Sequence, residues 1–511
     1  MKKEKAQYRL NRHHPEPYPA SSERKHLTAK ANRWLALCLL ILIAGLFTAC
    51  GKADDERILG IDGFVYIAEE AALPEESFPS DSFKAQNGYL YYLISGDNQY
   101  RQLSPGEAPE MSASIAPPSD ILPDCDSYEL GECAVGNDGD IYYCIQGYHE
   151  NRKGDVIERI PEDQALLIRQ TADGRMVYQL PVNVADMVDE VTYFRYYLAV
   201  DGEDRAYLLT QSCIYVIDAA GNIAGTISVE DYIPSSEEDL FWNTWASLLT
   251  GEGGKVYFIT NYKTGSSASI YEILTAGDCR LELREELTKG ISGKFYSSPY
   301  GLLCDRADGI LYQYRLADAS WHPLLRWTDG YAGSGAFKVV QLTEDHIAAL
   351  YYAARDADNI LQLYLLTKTA VEELPEKELL VLASMNPSIE LQQSVMEFNR
   401  TNDRYHLLLD IYEGDGATMR MDAALVSSDP PDLLDTSFWS LNINKYAQKE
   451  LLEDLSPYLD QSQTLHREDF LPNLLEGYTI SGRLCSIPSA FSLNDVIMGR
   501  PEQVGTGMGW T

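Results

Sequence analysis

The chain has 511 residues, of which 45% are hydrophobic and 23% charged, and its 77 acidic and 41 basic side chains give a formal net charge of −36. This length accommodates two or three domains with well-formed hydrophobic cores. A polyanion of this size repels nucleic acid and anionic lipid headgroups, so the composition excludes nucleic acid as a partner.

The first fifty residues have the organisation of an export signal. A long basic segment precedes an apolar run that ends at Cys50, and about fifteen apolar residues make a signal-peptide core but a short membrane span. The closing Leu46-Phe47-Thr48-Ala49-Cys50 resembles a bacterial lipobox, which implies that Cys50 carries the lipid. We therefore expect a signal peptide over residues 1–49, a tether over 50–56 and lipid anchoring at the extracytoplasmic face of the cell membrane. An uncleaved membrane anchor is the alternative.

The cysteines give no sign of metal chemistry. Beyond Cys38 and Cys50 there are seven, none in a Cys-x-x-Cys pair and none beside a histidine at ligand spacing, so a zinc site is not expected. Several lie in strand-like apolar runs, where a cysteine is usually a small buried hydrophobe. The sequence thus predicts neither a metal site nor another cofactor.

One pattern recurs from about residue 57 to 370. A turn with Gly, Asp or Asn leads into a short run of β-branched and aromatic residues, which is the signal of a β-hairpin. Tyrosines at positions 91, 142, 207, 257 and 312 follow such turns at spacings of 50 to 65 residues, and about fifty residues form a four-stranded propeller blade. We predict a β-propeller-like domain of six or seven blades over residues 57–370, with a β-sandwich as the alternative.

The pattern changes after a charged, proline-containing linker at residues 371–378. Residues 379–383 read as a buried strand, and Ser388 is a suitable N-cap for a helix with an apolar face. Strands are then predicted over residues 405–412 and 430–434, and helices over 419–426 and 441–449. This alternation predicts an α/β domain over residues 379–511, with a parallel sheet covered by helices.

Five motifs of this region occur in the order of a known family. They are residues 389–399 ending in Phe398-Asn399, Ser428-Asp429-Pro430-Pro431-Asp432-Leu433-Leu434, Glu450-Leu451-Leu452-Glu453-Asp454-Leu455-Ser456-Pro457-Tyr458-Leu459, Tyr478-Thr479-Ile480-Ser481-Gly482-Arg483-Leu484-Cys485-Ser486-Ile487-Pro488 and Gly509-Trp510-Thr511. Together they resemble the first lobe of an extracellular solute-binding protein of a bacterial ABC importer, of the branch that mostly binds sugars. The resemblance implies a periplasmic-binding-protein-like fold that stops where a second lobe would begin, which favours a fragment of a longer protein. It also implies a sugar-like ligand held between two lobes and an ABC permease as partner.

The resemblance implies that the ligand binds at the carboxyl ends of the parallel strands, which form the usual binding crevice of an open α/β sheet. Carboxylates and amides hydrogen-bond sugar hydroxyls, and an aromatic ring stacks on the apolar face of the sugar. Trp439 is the leading candidate, with a core tryptophan as the equal alternative, and Asp435 could instead cap the following helix. The full set of candidate binding residues is Ser384, Met385, Asn386, Asp435, Thr436, Trp439, Ser489 and Phe491.

Motifs of enzyme chemistry are missing from the sequence. It contains no Gly-x-Ser-x-Gly elbow, His-Glu-x-x-His pair, phosphate-binding loop or dinucleotide fingerprint. We therefore expect a lipid-anchored binding protein that captures a carbohydrate or oligosaccharide for an ABC importer, and not an enzyme. The alternative is a surface interaction or sensing protein whose propeller binds a partner and whose binding lobe is vestigial, and a propeller glycoside hydrolase is less favoured.

Overall fold

The computed structural model describes residues 59–487 except for short internal segments. These segments are residues 72–78, 95–98, 107–109, 116–117, 154–155, 163, 184–196, 211–212, 233–243, 263–267, 288–292, 307, 333–335, 356–357, 415 and 438–440. The predicted signal peptide and four of the predicted functional residues, Cys50, Trp439, Ser489 and Phe491, lie outside the described residues.

Residues 64–370 form six antiparallel β-sheets, each built around four strands. The first strand is β1 (Phe64–Glu70). Blade 1 consists of β2 (Pro79–Gln86), β3 (Tyr89–Ile94), β4 (Gln99–Leu103) and β5 (Glu110–Ser114). The short helix α1 (Pro118–Ile121) leads to blade 2, which contains β6 (Ser127–Val135), β7 (Ile141–Lys153), β8 (Val156–Pro161), β9 (Gln164–Gln170) and β10 (Met176–Asn183), with β8 as an extra strand beside the end of β7.

The next three blades are regular. Blade 3 contains β11 (Tyr197–Val200), β12 (Ala206–Leu209), β13 (Cys213–Ile217) and β14 (Ile223–Ser228). Blade 4 contains β15 (Thr244–Thr250), β16 (Val256–Tyr262), β17 (Ala268–Leu274) and β18 (Arg280–Leu287). Blade 5 contains β19 (Gly293–Tyr296), β20 (Leu302–Arg306), β21 (Ile310–Arg315) and β22 (Ser320–Arg326), and the 3₁₀ helix Trp327–Gly330 follows it.

Blade 6 joins the two ends of the propeller. Its strands β23 (Lys338–Thr343), β24 (His346–Arg355) and β25 (Asp358–Ala370) are completed by β1, which pairs antiparallel with β25 from Phe64↔Ala370 to Glu70↔Tyr364. The fold is therefore a six-blade β-propeller. The predicted propeller is confirmed at the lower of the two predicted blade counts, and the alternative of a β-sandwich is wrong.

Local chemistry explains the hairpins. Asn87 and Gly88 both have positive φ angles, 52° and 82°, as the two central residues of a type I′ turn require. They join Gln86 and Tyr89, which are paired across β2 and β3. Asparagine and glycine tolerate this backbone region better than other residues, so the Asn-Gly motif determines where the strands reverse.

Six clusters of buried hydrophobic side chains hold the propeller together, one between each pair of adjacent blades. Alternation along β7 shows how one strand serves two clusters, because successive side chains point to opposite faces of a sheet. Tyr142 packs with Leu198 and Leu208 of blade 3, whereas the next residue, Tyr143, packs with Tyr91 of blade 1. The hydrophobic core of the propeller therefore lies between its blades.

Hydrogen bonds also link the turns between the first and second strands of neighbouring blades. Gln86 Nε2 donates to Asn137 Oδ1 at 2.7 Å, and the Asn137 amide donates to Asp204 Oδ1 at 2.9 Å. The Gly202 amide donates to the Gly254 carbonyl at 3.1 Å. Blades 1 to 4 are thus joined in sequence at one end of their sheets.

The α/β region follows a 3₁₀ turn at Val371–Glu373. Its elements are β26 (Glu378–Ser384), α2 (Ile389–Thr401), β27 (Tyr405–Ile411), α3 (Ala417–Ala424), β28 (Leu433–Leu434), α4 (Ile443–Gln448), α5 (Ser456–Gln461), the 3₁₀ helix Arg467–Asp469, α6 (Pro472–Gly477), β29 (Thr479–Ile480) and β30 (Arg483–Leu484). Strands β27, β26 and β28 form a parallel sheet in that order, and β29 and β30 form a hairpin.

Helices cover both faces of the parallel sheet. Val395 of α2 packs with Leu382 and Leu407 on one face, and Met421 of α3 packs with Ala383 on the other. The neighbouring β26 residues 382 and 383 point to opposite faces, as strand geometry requires. The Ser388 hydroxyl accepts a hydrogen bond from the Leu391 amide at 3.2 Å, so the predicted N-cap is confirmed.

The thiol groups lie mostly in the core. None of the seven cysteines of the described residues forms a disulfide bond, and five of them are buried: Cys133, Cys144, Cys213, Cys304 and Cys485. Burial raises the pKa of Cys304 to about 12, which keeps this thiol protonated at neutral pH. Cys144 and Cys213, which lie in strand-like runs, are buried as expected, whereas Cys125 and Cys279 are only partly buried.

Candidate functional site

The parallel sheet brings two of the predicted residues into direct contact. Ser384 ends β26 and Asp435 follows β28, and the carboxyl ends of these adjacent strands lie at the same edge of the sheet. The Ser384 hydroxyl donates to Asp435 Oδ2 at 2.7 Å, and the Asp435 amide donates to the Ala383 carbonyl at 2.8 Å. Ser384 is fully buried, so its hydroxyl holds the half-buried carboxylate in a defined position.

Asp435 does not cap a helix in the described part of the chain. Its Oδ1 accepts a hydrogen bond from the Ser437 amide at 2.9 Å, whereas the N-cap of α4 is Asn442, whose side chain accepts from the Lys445 amide at 2.9 Å. The carboxylate instead organises the loop that leaves β28, and each of its oxygens has a lone pair with which it can accept a further hydrogen bond.

Thr436 lies next to a residue that the sequence did not nominate. Its hydroxyl is 2.9 Å from that of Ser486, which is buried. Ser486 follows the β29–β30 hairpin, and the Leu484 amide of this hairpin donates to Asp454 Oδ1 at 3.0 Å. The only sequence signal for Ser486 is its place in the motif that ends at Pro488.

Met385 and Asn386 occupy different environments. Met385 is buried in the core with Met421 and Tyr446, and its sulfur lies 3.9 Å from the Thr418 hydroxyl. Asn386 is exposed. The structure therefore places Asn386 where a solute can reach it and gives Met385 a packing position.

The propeller covers the edge strand β27. The ring of Tyr331, beyond blade 5, lies 6.3 Å from the ring of His406. Gly309, in the turn between β20 and β21, approaches Ile411 so closely that a side-chain Cβ there would lie 2.9 Å from Ile411 Cδ1. Covering an edge strand in this way prevents it from pairing with other chains.

His406 is neutral in this setting. Its side chain is buried, and burial together with the charge of Lys377 lowers the pKa of His406 to about 4. Asn399 Nδ2 lies 3.3 Å from His406 Nε2, and the Asn399 side chain also bonds both backbone groups of Leu407. Helix α2 and strand β27 are thus fixed to each other beside the propeller.

The loop after β27 connects this joint to the candidate site. The Tyr412 amide donates to the Ser384 carbonyl at 2.8 Å. The next residue, Glu413, has its pKa raised by burial and by the nearby charge of Asp308 from blade 5. One turn of the propeller therefore lies at the same edge of the sheet as Ser384 and Asp435.

The structure holds neither a clustered set of metal ligands nor a membrane-spanning helix within the residues it describes. No three His, Cys, Asp or Glu side chains there are arranged to hold a metal ion. None of the described helices is long and apolar enough to cross a membrane.

Comparison with known proteins finds similar solved structures. Neither a protein-family model nor a curated protein sequence matches this chain. Among solved structures it is similar to a streptogramin B lyase at 11% identity and a TM-score of 0.33, covering 58% of this chain and 87% of that one. An oligogalacturonate lyase from Vibrio parahaemolyticus matches at 8% identity and 0.32, covering 57% and 79%. A protein of unknown function from Dyadobacter fermentans matches at 12% and 0.34, covering 60% and 100%.

These neighbours correct one prediction from the sequence. The prediction that the chain is not an enzyme is wrong, because the similar structures include two lyases and a prolyl endopeptidase. At these identities the likeness concerns the fold alone, and a propeller carries many unrelated functions. The comparisons give no support for a solute-binding family.

Proposed function

We propose that the α/β region binds a small polyhydroxylated solute, such as a sugar, at the carboxyl edge of its parallel sheet. The observation that supports this most directly is the convergence of Ser384, Asp435, Thr436 and Ser486 at that edge. Carboxylate and hydroxyl groups can accept and donate the hydrogen bonds that sugar hydroxyls require.

The topology supports the same location. Strand β26 lies between β27 and β28. The chain that leaves β26 continues into α2, which packs on one face of the sheet. The chain that leaves β28 continues into α4, which packs on the other face. Adjacent strands whose connections leave toward opposite faces define a topological switch point, where open α/β sheets bind ligands. Ser384 and Asp435 are the residues at this point.

We further propose that the protein is exported, is lipid-anchored through Cys50 and delivers its ligand to an ABC permease. Support comes from the resemblance of residues 46–50 to a lipobox and from the order of the five motifs between residues 389 and 511. In this proposal Asn386, Trp439, Ser489 and Phe491 also contribute to the ligand contact.

Replacing Asp435 with alanine is expected to weaken solute binding by roughly ten- to a hundred-fold, because a hydrogen bond to a charged group contributes about 1.5–3 kcal/mol. The measurement is isothermal titration with a panel of monosaccharides and oligosaccharides, after circular dichroism has shown that the variant is folded. Asp403→Ala is the matched control, since Asp403 is an exposed aspartate that precedes β27 and so lies toward the opposite edge. Equal affinities for the wild type and Asp435→Ala, or no binding of any sugar to the wild type, would contradict the proposal.

A further inference from the structure

A buried amide group determines how the ring of His406 is protonated. Asn399 of α2 is fully buried, and its Oδ1 accepts a hydrogen bond from the Leu407 amide at 2.7 Å. Because a backbone amide can only donate, this bond fixes which terminal atom of the Asn399 side chain is the oxygen. The NH₂ group then donates to the Leu407 carbonyl at 3.0 Å and to His406 Nε2 at 3.3 Å. His406 Nε2 is therefore an acceptor, and the neutral ring carries its proton on Nδ1.

A second proton on this ring would oppose the arrangement. The protonated Nε2 would direct its N–H toward the NH₂ group of Asn399, so two donors would face each other and one hydrogen bond would be lost. His406 is only 2% exposed, and a buried charge is costly unless it is paired. Burial, together with the charge of Lys377, lowers the pKa of His406 to about 4.

The charged groups of the neighbouring α/β segments do not favour an imidazolium. Lys377, just before β26, is itself positive and donates to the Asn399 backbone carbonyl at 2.7 Å. At the starts of β26 and β27, Glu378 Oε2 lies 3.7 Å from Arg404 Nη2, and both side chains are exposed. These contacts leave the neutral ring as the favoured form.

The propeller contributes an aromatic ring and a buried carboxylate on its side of the joint. The Tyr331 ring centroid is 6.3 Å from that of His406, at the limit of the distance at which an aromatic ring attracts a cation. Asp329, two residues earlier, accepts from the Gly60 amide at 2.9 Å and from Arg326 at 3.1 Å through its Oδ2. Burial raises the pKa of Asp329, so its effect on stability has the opposite sign to that of His406 when the pH falls.

His406 lies where the α/β region meets the propeller. The 3₁₀ helix Trp327–Gly330 packs against both α2 and β27, and Tyr331 follows it directly. The Asn399 side chain joins the same two elements to each other. A change in its hydrogen bonds therefore affects both elements that contact the propeller.

We propose that His406 is an acid-sensitive latch, whose neutral ring holds α2 and β27 together against the propeller and whose protonation releases this joint. The released state separates the Asn399 side chain from the ring and gives the imidazolium access to water. No solute is required for this effect.

The direction of the pH dependence follows from linkage. A histidine whose pKa is lower in the closed joint than in the open one binds its proton more weakly when the joint is closed. Its contribution is therefore complete above about pH 6.5, the ordinary pKa of histidine, and is lost as the pH falls toward about 4. At pH 5 the equilibrium constant for opening should be roughly ten- to thirty-fold higher than at pH 7.5.

Hydrogen exchange of the backbone amides measures this opening. In peptides covering residues 324–332 and 397–411, the wild type should lose protection roughly ten- to thirty-fold between pH 7.5 and pH 5, after correction for the pH dependence of exchange in unprotected amides. His406→Gln keeps an acceptor oxygen for Asn399 and binds no proton, so the acid-induced loss should disappear. His466→Gln is the matched control, because it replaces an exposed histidine that precedes the 3₁₀ helix Arg467–Asp469, and it should keep the loss seen in the wild type.

Nitrogen-15 chemical shifts of His406 in the wild type examine the ring directly and do not depend on the folding of a variant. At pH 7.5 we expect Nδ1 to be protonated and Nε2 to be free of a proton. The closed state should keep this neutral form at pH 5, where an exposed histidine is mostly charged. The proposal is overturned if wild-type protection is the same at both pH values, if His406→Gln loses as much protection in acid as the wild type, or if Nε2 carries a proton at pH 7.5.

Discussion

Replacing Trp327 with alanine is expected to lower the free energy of unfolding by about 3–5 kcal/mol, the cost of truncating a large buried aromatic side chain. The indole is only 1% exposed and lies in the cluster between blades 5 and 6. Its ring meets that of Tyr351 edge-on, with centroids 6.3 Å apart, and its Nε1 donates to Asp305 Oδ1 at 2.8 Å. The substitution therefore creates a cavity and also removes one hydrogen bond from a buried carboxylate.

Trp327→Phe separates the two contributions. It keeps most of the ring and removes the hydrogen bond, so we expect a smaller loss of about 1–3 kcal/mol. Guanidinium unfolding followed by far-ultraviolet circular dichroism measures both variants. A loss below about 1 kcal/mol for Trp327→Ala would show that blades 5 and 6 do not depend on this side chain. Because the 3₁₀ helix of Trp327 leads into Tyr331, we also expect Trp327→Ala to loosen the contact with His406.

The repeated turn motifs made the propeller predictable, but they did not identify the position of each strand within its blade. Tyr142, Tyr207 and Tyr257 all lie in the second strand of a blade, as a regular repeat requires, whereas Tyr312 lies in the third strand, β21. The Asp308-Gly309 turn joins the second and third strands of blade 5, where the other blades use such turns between the first and second. Asp-Gly favours any tight turn, so the motif alone cannot distinguish these places.

Closure of the propeller could not be read from local patterns. Strand β1 pairs with β25 about 300 residues later, and no periodicity connects two segments so far apart. The sequence therefore predicted the number of blades only as six or seven.

Part of the candidate site followed from a general rule and part did not. The rule that ligands bind at the carboxyl ends of parallel strands nominated Ser384 and Asp435, and the structure shows them hydrogen-bonded. The same rule nominated Met385, whose side chain turns into the core because residues 384 and 385 point to different sides of the strand end. The contact between His406 and Tyr331 was missed, since it depends on how the propeller packs against β27 and leaves no signal in either segment alone.

A buried arginine of blade 2 contacts both its own blade and blade 3, and its removal should have a similarly large effect. Arg169 of β9 is 9% exposed, and its Nε and one Nη lie 2.9 and 2.8 Å from Asp140 Oδ2. Its other Nη donates to the Ala219 carbonyl of blade 3 at 2.8 Å, and the Nη that contacts Asp140 also lies 3.6 Å from Asp204 Oδ2 of blade 3. The guanidinium thus neutralises two acidic groups from two blades and stacks over Tyr142 at 5.2 Å.

Arg169→Met is expected to lower the free energy of unfolding by about 3–5 kcal/mol, because it leaves the carboxylates of Asp140 and Asp204 without their partner in a desolvated space. The double variant Arg169→Met with Asp140→Asn should be more stable than Arg169→Met alone, since one of the uncompensated charges is then removed. Chemical denaturation of the wild type, both single variants and the double variant gives the coupling energy of the pair. Arg152→Met, which removes an exposed guanidinium 3.8 Å from Glu150, should leave the stability nearly unchanged. If the double variant were as unstable as Arg169→Met, the loss would come from the missing contacts to Ala219 and Tyr142, and the blades would be held by packing rather than by charge.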